Sequence, residues 1–196
     1  MWPSGLVSDV QYQATHIQPL LNGGEKPCWL PFREYAILHG MMLLTANAGS
    51  SSLRLAAFSA AGADIEAIAA TRFDLHDGSV EPLLRHFVNE HKLNGVTAVV
   101  HRIVHGGAHF SGACNVDRET ERKLTELAPL APLHSEQSLA LIRTARAVFG
   151  ADTPQVASFD TAFYRNLPQI ASHYALPAGT GGSPRLAALR LPWARS

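Results

Sequence analysis

The chain has 196 residues, 46% of them hydrophobic and 16% charged, which supplies a packed core and excludes global disorder. Sixteen Lys and Arg balance sixteen Asp and Glu, so the basic excess of a general nucleic-acid binder is missing. Two cysteines fit a reducing compartment, and the sequence carries neither a roughly 18–20-residue apolar span nor a signal-like start. A cytoplasmic globular protein with no nucleic-acid or membrane partner is expected.

Residues 1–41 keep no sustained period of 2 or 3.6, and Met41-Met42 stands where a translation start would sit. They are expected to be a non-native or disordered extension, with the domain running over 42–177. Leu43–Ala46 predicts a buried strand, Asn47–Ser52 a small-residue turn and Leu53–Phe58 a second strand, together a β-hairpin. Ser79 is expected to cap a helix with Pro82 in its first turn and Leu83, Leu84, Phe87 and Val88 as its apolar stripe. After Asn94-Gly95, the β-branched run Val96–Val100 reads as a strand.

Asp117 opens a charged helix that ends before Pro129. The next helix carries Leu139, Ile142, Ala145, Val148 and Phe149 on one face and stops at Gly150. Pro154–Phe159 is a last strand, with Asp160 at its carboxyl end. Strands alternating with helices predict an α/β sheet. Beyond Pro177 the chain is loop-like through Ala178–Pro184, and Arg185–Ser196 has neither a cap nor an acidic residue.

Four stretches carry groups suited to chemistry. Asn47-Ala48-Gly49-Ser50-Ser51-Ser52 exposes backbone N–H groups and hydroxyls suited to anionic oxygens, and Asn47 offers a carbonyl to a hydrated Mg²⁺. Arg54 follows with a guanidinium for a phosphate, although the same residues suit an ordinary polar turn. In His101-Arg102-Ile103-Val104-His105-Gly106-Gly107, Arg102 ends a buried strand, where a guanidinium needs an anion or carboxylate, and the glycines admit a ligand close to the backbone. A surface ion pair of Arg102 is the plain alternative. His101, His105 and His109 at spacing four would line a metal site on a helix, which Gly106-Gly107 argues against.

His134 sits in Ala131-Pro132-Leu133-His134 at a helix start that favours anions, or serves there as an ordinary surface histidine. Asp160, in Phe159-Asp160-Thr161-Ala162-Phe163, suits a Mg²⁺ ligand, a group that orients a nucleophile, or a helix cap. Neither a P-loop, a dinucleotide fingerprint, a Cys-x-x-Cys pair nor a G-x-S-x-G elbow occurs.

In combination these stretches are specific. The hairpin motif, the His101–Gly107 motif, Pro129-Leu130-Ala131-Pro132-Leu133-His134 and the Phe159–Phe163 motif occur in one order that closely resembles the N-terminal half of the acetate kinase family, over about residues 42–177. That family comprises acetate, propionate and butyrate kinases. The resemblance implies an N-terminal actin-like ATPase (ribonuclease H-like) domain, a mixed sheet flanked by helices. It also implies reversible phosphorylation of acetate by ATP, with Mg²⁺ or Mn²⁺.

By match to the family motifs, Asn47 would help hold the metal, and Ser50, Ser52 and Arg54 would meet nucleotide phosphate. Arg102 would bind the carboxylate or the moving phosphoryl group, and Val104 and Leu133 would wall the methyl pocket. His134 would line the phosphoryl path, and Asp160 would be the catalytic aspartate. A small carboxylic acid is already ionised near pH 7, so positioning and charge neutralisation outweigh proton removal.

The chain departs from the family at Ser135-Glu136, where Asn-Pro is usual, and at Tyr164, where His is frequent. After the Tyr174–Pro177 match, the family's Arg-Tyr-Gly-Phe-His-Gly and second domain do not follow. The homodimer surface, the adenosine pocket and a metal-binding Glu are expected to be missing with them. Ala188-Leu189-Arg190-Leu191-Pro192-Trp193 can be encoded as GCG CUA CGG CUU CCA UGG, which one base later spells the missing hexapeptide. A frameshifted tail over 178–196 and a weakly active or inactive fragment are therefore expected. The competing expectation is a non-catalytic module that keeps only carboxylate or phosphate affinity.

Overall fold

The computed structural model describes residues 41–61, 64–75, 79–107, 109–110, 112–130 and 132–163, without the side chains of Leu133 and Phe163. The expectations for residues 1–40, Tyr164, the Tyr174–Pro177 match and the tail fall outside these residues. A six-stranded mixed sheet with flanking helices is built from β1 (Met41–Ala48), β2 (Ser52–Ala61), β3 (Asp64–Asp74), β4 (Ala98–Ile103), β5 (Cys114–Asn115) and β6 (Gln155–Phe159). Their order across the sheet is β3-β2-β1-β4-β6-β5.

The hairpin forms as antiparallel β1 and β2, and β3 extends it at the sheet edge. β4 pairs parallel to β1, and β6 parallel to β4. The turn is shorter than the small-residue composition suggests: Asn47 and Ala48 finish β1, and Ser52 begins β2. Ladder pairing of Asn47 with Arg54 and Ala48 with Leu53 extends the strands into the polar run.

Helix α1 (Glu81–Glu90) has Pro82 in its first turn as expected, but Val80 occupies the capping position rather than Ser79. Val80 is itself buried with Leu84 and Phe87, so the helix start is fixed by packing. Helix α2 (Arg118–Leu127) is capped by Asp117, whose carboxylate accepts from the Thr120 backbone N–H at 2.7 Å. A 3₁₀ turn (Ala128–Leu130) leads into α3 (Pro132–Phe149), and the short α4 (Asp160–Phe163) follows β6.

The helices pack on one sheet face. Leu84 and Phe87 of α1 and Leu141 and Ala145 of α3 meet Leu44, Ala46, Leu55 and Val99. Leu124 of α2 and Leu139 and Ile142 of α3 meet Ile103, Ala157 and Phe159. Each fully buried Leu or Phe contributes roughly 1.5–3 kcal/mol. Met41, Leu43, Ala56 and Phe58 form a separate buried cluster on the other face. The strand expected at Val96–Val100 lies two residues later, at Ala98–Ile103, which draws His101 and Arg102 into the sheet.

Candidate functional site

β1, β4 and β6 run in the same direction, so their carboxyl ends meet at one end of the sheet, where open α/β sheets bind ligands. Ala46 pairs with His101, so the next residue, Asn47, comes level with Arg102. Arg102 pairs with Ser158, two residues before Asp160. Residues 55 and 58 positions apart thus share one place. Arg102 Nε donates to Asp160 Oδ1 at 2.9 Å and Oδ2 at 3.1 Å, and Nη2 donates to Oδ2 at 2.5 Å. Nη1 donates to Asn47 Oδ1 at 3.0 Å. All three residues are buried, and the bidentate carboxylate supplies the counter-charge that a desolvated guanidinium requires. Arg102 is therefore no surface ion pair. Among the described residues no hydrogen-bond acceptor meets the buried Asn47 Nδ2.

His134, the third residue of α3, stands in the field of this pair. Burial pushes its pKa down, the Arg102 charge pushes it further down, and Asp160 pulls the other way. Its imidazole is accordingly neutral at pH 7. Burial also lowers the pKa of His105, whose Nδ1 accepts from the Gly107 N–H at 2.8 Å, leaving its proton on Nε2. Gly106 N–H donates to Thr161 Oγ1 at 3.0 Å, tying the loop after β4 to the helix that begins with Asp160.

The two glycines of this loop are required by space and backbone. A Cβ on Gly106 would lie 3.0 Å from Phe110 and Phe159, whose rings stack with centroids 4.7 Å apart. Gly107 has φ +60°, and a Cβ there would lie 2.5 Å from Leu127 Cδ2.

The other candidate residues spread outward. Ser50 is exposed in the turn, while Ser52 is buried at the start of β2, opposite Asp74. Arg54 stands opposite Asn47 on one side and Arg72 on the other, so it leaves the sheet on the Asn47 face. Val104 is half-buried just after β4, and the Leu133 side chain is outside the described residues.

The three-histidine metal alternative does not form. His101 is buried and hydrogen-bonded through Nε2 to Gln155 Oε1 at 2.7 Å, whereas His109 is exposed. Among the described residues no group of three His, Cys, Asp or Glu could hold a metal ion. Nor does Mg²⁺ fit between Asn47 and Asp160 as packed, because Arg102 already occupies the oxygens that would face it. Thr161 and Gln155 were not singled out by the sequence reading. Thr161 had a signal, a hydroxyl beside the strand-ending Asp160, but Gln155 had none.

Residues 58–181 match the Acetokinase family. The chain belongs to that family. The matched span contains Arg102, His134 and Asp160, while Asn47, Ser50, Ser52 and Arg54 precede it. An acetate kinase of Kocuria rhizophila is 33% identical over 170 residues, which is 87% of this chain and 40% of that relative. The chain spans less than half the length of the curated relatives it matches.

The solved propionate kinase of Francisella tularensis subsp. tularensis SCHU S4 superimposes with TM-score 0.53 and 29% identity, over 70% of this chain and 41% of that one. Acetate kinase of Porphyromonas gingivalis gives TM-score 0.53 at 24% identity, over 70% and 41%, a likeness of fold alone. The sheet with its flanking helices thus has the actin-like ATPase fold. No helix among the described residues is long and apolar enough to cross a membrane.

Proposed function

We propose that this chain carries the acyl-side part of a cytoplasmic short-chain carboxylate kinase, which moves the terminal phosphoryl group of ATP reversibly onto acetate or a close homologue. The observation that carries the reading is the meeting of Asn47, Arg102 and Asp160 at the ends of three parallel strands in an acetokinase chain. Acetate is ionised at pH 7, so one carboxylate oxygen is ready to attack phosphorus as ADP leaves in line. Arg102 holds the carboxylate and offsets the charge gathering on the phosphoryl oxygens. His134, neutral at pH 7, offers an N–H to one of those oxygens. Asp160 orients Arg102 rather than removing a proton. Val104 and Leu133 wall the methyl group, and Ser50, Ser52 and Arg54 meet nucleotide phosphate. A divalent cation accompanying ATP would supply further charge neutralisation.

The span of the chain relative to its relatives favours a second reading, in which this chain alone binds carboxylate or phosphate without turnover. Trapping acetyl phosphate as its hydroxamate, beside calorimetric titration of ATP with Mg²⁺, separates the two. Turnover and nucleotide binding support the kinase reading for the isolated chain; acetate binding with neither supports the second. If Arg102→Ala leaves acetate binding unchanged, both readings fail.

A further inference from the structure

We propose that Thr161 is a positioning residue that sets which short-chain carboxylate fits, by fixing the distance from Arg102 to the apolar wall at Val104. The inference rests on the reading of Arg102 as the carboxylate anchor and of Val104 as a wall of the methyl pocket. Anchor and wall belong to one closed ring of bonds. Backbone runs from Arg102 through Val104 to Gly106, whose N–H donates to Thr161 Oγ1 at 3.0 Å. Thr161 directly follows Asp160, and both oxygens of Asp160 hold the Arg102 guanidinium. Half-buried Val104 lies on this ring. Without the Thr161 hydroxyl the ring opens, and the wall is tied to its anchor from one side alone.

The loop passes a displacement on because it is braced internally. Gly107 N–H donates to His105 Nδ1 at 2.8 Å, and Phe110 N–H donates to the Gly106 carbonyl at 3.2 Å. A shift at Gly106 is therefore felt at Val104, two residues back. Packing bounds that shift in one direction. A Cβ on Gly106 would lie 3.0 Å from Phe159 and Phe110, so the glycine backbone already rests against the stacked rings. Such contact opposes approach but not withdrawal. The Thr161 hydrogen bond opposes withdrawal, because the N–H of buried Gly106 would lose its acceptor. A wall that sets back makes room for further methylenes. While an apolar pocket keeps its size, it separates ligands one methylene apart by about 10–200-fold.

The test is calorimetric titration of the full chain with sodium acetate, propionate and butyrate at equal ionic strength. Wild type should favour one acid over the next longer one by about tenfold. Thr161→Val keeps the side-chain shape and removes the acceptor, and should narrow that ratio to about twofold by admitting the longer acid. Thr161→Ser keeps the hydroxyl and should retain the wild-type ratio. Thr161→Ala removes the same acceptor and takes the place of Thr161→Val if that variant does not fold. A merely structural role would lower the thermal midpoint and weaken all three acids by one common factor. An unchanged ratio without the hydroxyl, a ratio lost equally in Thr161→Ser, or a flat wild-type profile overturns the role of Thr161 and leaves the carboxylate reading standing. Binding of none of the three acids by wild type overturns that reading and this inference with it.

Discussion

His101 and Arg102 are neighbours on β4, yet the two sides of the sheet treat them in opposite ways. His101 faces the helices, and burial drives its pKa down to about 4, so the buried ring stays neutral and spends one nitrogen on Gln155. Its Nδ1 meets no partner among the described residues. Arg102 faces away from the helices and keeps its charge, because Asp160 and Asn47 are delivered to it by strands on either side. A group that can lose its proton adapts to the core by discarding charge. A guanidinium cannot, so the fold must bring an anion to it.

The largest test of this contrast is Arg102→Ala. It strands a carboxylate that is 8% exposed and should cost about 3–5 kcal/mol in urea unfolding. The paired change Arg102→Met with Asp160→Leu leaves no orphan charge and should recover most of that loss. A pair as damaging as the single substitution would show that charge compensation is not what the site contributes.

The next effect belongs to His101. The unfolded chain takes up the proton near pH 6.5, whereas the folded chain resists until about 4. Stability is therefore fully present above about pH 6.5 and falls as pH drops toward 4, by about 3 kcal/mol from this group. Urea midpoints across that window, compared with those of His101→Gln, should show the variant losing less. Equal slopes would remove His101 as the titrating group.

The smallest effect concerns the loop that joins the two environments. Gly107→Ala forces a Cβ into left-handed backbone and against Leu127, and should cost about 1–2 kcal/mol or more. In a Leu127→Ala background the steric part should vanish, so the two substitutions should be measurably non-additive in thermal unfolding.

Much of this was legible in residue order. The hairpin, the Asp117 cap, the helix bearing Leu139, Ile142 and Ala145, and the strand ending before Asp160 each announce themselves by period or capping chemistry. β3 did not. Its Ala67, Ala69 and Ala70 give little hydrophobic contrast, and only its pairing with β2 makes it a strand. β5, two residues long, exists through its contact with β6. The β4 boundary slipped because the β-branched run stops at Val100, while in the fold the strand continues through His101 and Arg102 to Ile103.

The candidate site divides in the same way. Arg102, Asp160 and Asn47 could each be named from sequence, since a charged or amide side chain at the end of an apolar run asks for a partner. That each is the other's partner could not be. Parallel pairing of β1, β4 and β6 decides it, through hydrogen bonds between residues 55 and 58 positions apart. Local patterning marks β1, β2, β4 and β6 as strands and marks the groups that need compensation, because propensity and burial act within a few residues. The occupation of Asn47 and Asp160 by Arg102 is a property of tertiary structure alone, because the energy of a buried charge depends on what distant segments bring to it.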